Sequence, residues 1–152
     1  MSEERLWRST MRRDRASEER QRLVDWGLVM ACSLAILVIN TRPDIKTTRD
    51  PFWGHVIAQA GHFASHLVLG ALAWRAATRT FRHHIGYWLA YGASVVHAVL
   101  DEWLQAYVPT RNANLEDVLT NIAGVSVGIA IMEACRWRSE RQALRRHRRQ
   151  GS

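Results

Sequence analysis

The sequence predicts an all-α membrane protein: four transmembrane helices in one compact bundle, with both termini in the cytoplasm. Three observations predict it. Four apolar stretches each approach the roughly 20 residues that cross a bilayer as a helix. In three of them the polar residues recur every three or four positions, along a single line of the helix surface. The 21 Lys and Arg residues gather on alternate connections, as the positive-inside rule requires of cytoplasmic loops. A chain of 152 residues has room for one such unit. The net charge of +7 and mean hydropathy of −0.22 describe a basic soluble protein only on average, because arginine-rich ends flank a nearly uncharged interior.

Residues 1–22 carry seven arginines, too much charge for the short leading region of a signal peptide. No small-residue cleavage pattern follows the apolar run ending at Asn40, so residues 23–39 are read as a retained first span. The second span, 55–77, places His55, Gln59, His62 and His66 at intervals of four, three and four. The third, 85–108, repeats the spacing with Ser94, His97, Asp101 and Gln105, and the fourth, 115–135, with Asp117, Asn121, Gly124 and Gly128. A soluble helix has a limited apolar stripe against a broad charged face. These helices show the reverse, the pattern of membrane helices that turn a few polar groups into the bundle. A soluble basic bundle is the lesser alternative. The resulting organisation is an arginine-rich cytoplasmic segment over 1–22, a transmembrane domain over 23–137 and a basic cytoplasmic tail over 138–152.

Composition excludes other classes. Cys32 and Cys135 sit in apolar surroundings without C-x-x-C spacing, which excludes a disulfide scaffold. The arginines lie in two tails with no accompanying motif, so nucleic-acid binding is not expected. The tails fit anionic inner-leaflet lipid better, each charge contributing about 1 kcal/mol.

Lys and Arg number seven before the first span, three in each of the next two connections, one (Arg111) in the last, and seven after the fourth span. With cytoplasmic termini, 17 of them lie inside and 4 outside. Trp26, Trp74, Tyr87, Trp88 and Trp137 then fall at the inner interface, and Phe52, Trp53, Trp103 and Tyr107 at the outer one.

Orientation converts the stripes into depths. At 1.5 Å per residue, His62, Asp101 and Asn121 each lie about 10 Å below the outer helix ends, and His66 and His97 about 16 Å below. Three helices therefore bring polar groups to one level, with Arg111 and Asp117 above. Asn114 is a helix N-cap, with Glu116 and Asp117 in the first turn where the dipole favours them. Asp101 and Glu102 are expensive within a span unless partnered, and Arg111 is the basic group of that outer loop able to partner them. His62 with His66, and His97 with Asp101, have the i, i+4 spacing of shared metal ligands, but no H-E-x-x-H signature accompanies them. Interhelical hydrogen bonding needs the same residues, so a divalent metal is the lesser reading. Gly124-x-x-x-Gly128 is a close-packing face, which leaves oligomerisation open. His55, His83 and His84 are read as solvated.

The series Asp101-Glu102-x-x-Gln105, Arg111, Asp117, Asn121, Gly124 and Gly128, with His62-Phe63 upstream, resembles the VanZ-like family of small bacterial membrane proteins over roughly residues 23–135. Where many relatives carry an aromatic residue four positions after the helix-two His, this chain has His66. The Asp-Lys pair often found before that His is replaced by Ala58 and Gln59. The family is named for a protein associated with resistance to teicoplanin, so the resemblance implies a role at the bacterial cell envelope and an inner-membrane location.

Three functions compete. In the first, an outward-facing pocket binds or modifies the head group of an envelope lipid or precursor: Arg111 holds an anionic group, and Asp101, Glu102, Gln105, Asp117 and Asn121 orient hydroxyls or amides. In the second, an intramembrane hydrolase or transferase uses Asp101 or Glu102 as general base and His62 as acid or metal ligand. In the third, the polar core fixes a structural subunit without ligand. No nucleophile or phosphate-binding motif decides among them, so whether the chain is an enzyme stays open.

Overall fold

A computed structural model describes residues 2–42, 50–109 and 114–150. They form four helices, α1 (Ser2–Asn40), α2 (Pro51–Thr80), α3 (His83–Gln105) and α4 (Leu115–Gln150), with no strand among the described residues. Local chemistry sets the boundaries. The Asp50 side chain accepts the Phe52 and Trp53 backbone N–H groups at 2.9 and 3.2 Å, with Pro51 opening the helix. α2 ends at the extended residue Phe81, whose N–H reaches the Ala77 carbonyl at 2.8 Å. Only Phe81 and Arg82 separate α2 from α3, which makes the two antiparallel neighbours. Asn114 Oδ1 accepts the Glu116 N–H at 3.1 Å and caps α4.

α1, α2 and α4 are long and apolar enough to cross a membrane. The 23 residues of α3 reach about 34 Å, but His83, His84, His97, Asp101, Glu102 and Gln105 lower its hydropathy. The arginine-rich ends are helical and continuous with α1 and α4.

α2 and α3 form the centre, each packed on the other and on both α1 and α4. The outer pair do not touch among the described residues. α2 and α4 run parallel, so Gln59 meets Asp117 and Trp74 meets Glu133 at offsets of 58 and 59 residues. Small residues set their approach. A Cβ on Gly124 would collide with the Phe63 carbonyl, one on Gly128 with the Leu67 carbonyl, and one on Gly70 would lie 2.8 Å from Val125 O. The glycine seam is therefore used within the chain, between α2 and α4.

Large apolar side chains such as Leu34, Val96 and Leu119 face outward, more than half exposed, while Asp25, His62, His66, Ser94, Asp101, Glu102, Gln105 and Asn121 are buried. That inversion is the arrangement of a bundle solvated by hydrocarbon. Most of the interface aromatics are exposed, but Trp74 is a core residue with Ala73, Ala77, Ala90, Val125 and Ile129. Its indole N–H donates to Glu133 Oε1 at 2.8 Å, and His83 Nε2 stands 2.8 Å from the same oxygen. His83 is thus engaged in the bundle, a correction to its reading as solvated. At this terminal end the buried Asp25 takes Arg75 Nη2 at 2.5 Å and Arg79 Nη1 at 2.7 Å, which fastens α1 to α2.

Candidate functional site

The opposite end, where α1 and α3 finish and α2 and α4 begin, gathers the remaining buried polar groups. Asn40, the last residue of α1, donates from Nδ2 to Asp101 Oδ2 at 2.7 Å, and so brings α1 onto the final turn of α3. Glu102 follows on that turn, and its Oε1 accepts the backbone N–H of Asn114 at 2.6 Å. One carboxylate thereby holds α1 and its neighbour holds the start of α4. Gln59 of α2 donates to Asp117 Oδ1 of α4, so that three polar contacts link the four helices in series at this end.

His66 is fully buried on α2, with Nδ1 3.1 Å from the His62 carbonyl and its ring 5.6 Å from that of His97. His97 Nε2 lies 3.3 Å from the Ser33 carbonyl of α1. At the rim, the half-exposed pair His55 and Glu116 stand 3.5 Å apart. Asp101, Glu102, Gln105, His62, Asp117 and Asn121 thus share one end of the bundle, with His66 deeper on α2, while Gly124 and Gly128 lie in the seam below. Arg111 lies outside the described residues.

Several buried polar atoms have no hydrogen-bond partner among the described residues: both amide atoms of Asn121, Glu102 Oε2, His62 Nδ1 and His66 Nε2. Asn121 is 0% exposed. Chemically the array offers a carboxylate oxygen and an amide oxygen as acceptors, an amide nitrogen as donor, and two imidazole nitrogens whose role depends on tautomer. Of the metal candidates, His66 and His97 each direct a ring nitrogen at a backbone carbonyl. No group of three or more His, Cys, Asp or Glu side chains suited to a metal occurs among the described residues.

Sequence reasoning does not reach Asn40 or the backbone N–H of Asn114 as parts of the site. The available signal was an amide residue ending an otherwise apolar span, at the level of Asp101. A family model described as VanZ/LLP1 matches residues 6–136. No curated protein and no solved structure matches the chain.

Proposed function

The chain belongs to the VanZ/LLP1 family, and from that premise we propose that it is a multi-pass protein of the bacterial inner membrane whose polar end faces outward and binds the head group of an envelope lipid or precursor. Asn121 carries the reading. Its amide is fully buried with neither atom hydrogen-bonded among the described residues, in a chain three of whose helices are long and apolar enough to cross a membrane. A buried polar group left unpaired costs about 1–3 kcal/mol, and hydrocarbon supplies no water to relieve it. A ligand bearing hydroxyl, amide or phosphate oxygens relieves it on binding.

The roles follow from chemistry. Arg111, on the adjoining loop, holds an anionic group by its planar fork. Asn121 donates to and accepts from the head group, Glu102 Oε2 accepts a hydroxyl or amide hydrogen, and Asp101 and Gln105 shape the same wall. Asp117, held by Gln59, frames the mouth. Positively charged termini in the cytoplasm put this end outside, and the arginine-rich helical ends then lie against anionic inner-leaflet lipid. A head-group site at the outer surface accords with a part in glycopeptide resistance.

A second reading has one observation behind it. Glu102 Oε2 and His62 Nδ1 are both buried with no hydrogen-bond partner among the described residues, a carboxylate and an imidazole of the kind that activates water by general base catalysis. Turnover separates it from simple binding. The binding reading is tested by thermal unfolding of delipidated protein with phosphatidylglycerol, cardiolipin, phosphatidylethanolamine or a polyprenyl phosphate added singly. One of these should stabilise the wild type and leave Asp101→Asn unmoved. Equal shifts in both proteins with every lipid would refute head-group recognition.

A further inference from the structure

We propose that the groove between α1, α2 and α3 holds one acyl chain of a membrane phospholipid whose head group occupies the polar end. This deepens the head-group reading and rests on it. The groove arises from how α1 is fastened. At the polar end α1 is drawn to α3, through Asn40 on Asp101 and the Ser33 carbonyl beside His97. At the terminal end it is drawn to α2 instead, through Asp25 on Arg75 and Arg79 and Trp26 on Thr80 at 3.0 Å. α1 therefore parts from α3 as it descends, and a cavity of about 430 Å³ opens between them.

Its walls are apolar, with Trp26, Leu69, Phe81, Leu89, Val96 and Leu100 among them. The polar side chains on it are Ser33, Ser94 and His97. His97 connects the groove to the polar end, because its ring lies 5.6 Å from that of the buried His66, whose Nε2 has no hydrogen-bond partner. The groove is apolar along most of its length and carries His97 toward the polar end, which is the profile of an amphiphile.

Size selects the occupant. From Leu89 to Leu100 the α3 wall extends about 17 Å, from just below Asp101 toward the inner end where Trp26 and Phe81 close the groove. At about 30 Å³ per water-sized group, near the size of a methylene, the cavity takes about 14 such groups, the scale of one acyl chain.

The test uses the full chain in phospholipid nanodiscs doped with phosphatidylglycerol carrying a mid-chain diazirine, irradiated and mapped by proteolysis and mass spectrometry. Adducts are expected on the Ala93–Leu100 wall at least fivefold above those on the lipid-exposed α4 positions Val127 and Ile131. Ala93→Phe and Val96→Trp, two exposed positions on the groove, should each cut wall adducts at least fivefold and leave those on α4 unchanged. Ala93→Ser, which keeps the groove open, should retain them. Uniform labelling, wall adducts unchanged in both filled variants, or groove crosslinks to a second copy would overturn the inference. Asp101→Asn separates this inference from the reading beneath it. Loss of wall adducts in a folded variant supports the joined site. Retention of wall adducts leaves a chain in the groove and removes the head group from the polar end.

Discussion

Asn121→Leu reverses the order of stability between lipid-free and lipid-bound protein. In the lipid-free chain the amide is fully buried with both polar atoms unpaired, and each such atom costs about 1–3 kcal/mol. Leucine keeps the branching at Cγ and removes both atoms, at the expense of a slightly larger volume that consumes part of the gain. The expected net effect in delipidated detergent is a stabilisation of about 1–3 kcal/mol. Bound lipid works in the opposite direction: at one hundred times its dissociation constant, a ligand that binds only the folded state stabilises it by about 2.7 kcal/mol. The wild type gains this and the variant, lacking the amide contacts, does not. Reversible unfolding of both proteins in mixed detergent, with and without the stabilising lipid, measures both effects. A variant less stable than wild type under both conditions would show that the amide holds the helices themselves, and the reasoning would fail.

Other perturbations have equally definite outcomes. Gly128→Ala drives a methyl group into the Leu67 carbonyl of α2; the parallel α2–α4 seam must open, and the loss of about 1–3 kcal/mol appears in the same unfolding assay. Asp25→Ala strands Arg75 and Arg79 at the terminal end. Both guanidiniums reach solvent, so the loss is about 1–3 kcal/mol rather than the 3–5 of a fully buried pair, and limited proteolysis should cut α1 first. Arg111→Lys keeps the charge but loses the planar fork, so phospholipid affinity in a flotation assay should fall about tenfold, the equivalent of 1.4 kcal/mol; unchanged affinity would remove Arg111 from the site.

Much of this architecture is legible because each polar residue of a membrane helix has one low-energy direction. His62, His66, Asp101, Gln105 and Asn121 stand out as single lines on apolar helices, and all five are buried. The Asn114 cap is equally local, a side chain acting on the amide two residues on. Spacing within one helix says nothing of which neighbour each line meets. Hence the Asn40–Asp101 contact, which depends on the rotation of α1, is invisible to periodicity. Trp74 reads as an interface aromatic by depth alone, yet faces inward because Glu133 on α4 accepts its indole N–H. Arg75 and Arg79 read as connection charges, but α2 continues to Thr80 and brings both onto Asp25. The arginine-rich ends show no apolar stripe, and are helical because arginine is a good helix former and an existing helix extends without a new nucleus.

A head-group site at the polar end is open to test by native mass spectrometry of gently extracted protein, wild type beside Asp101→Asn. A specific anionic lipid is expected to stay on the wild type and to be lost from a variant that stays folded. The same nonspecific lipids on both proteins, at equal stability, would contradict it and leave the buried polar groups as fastenings between helices.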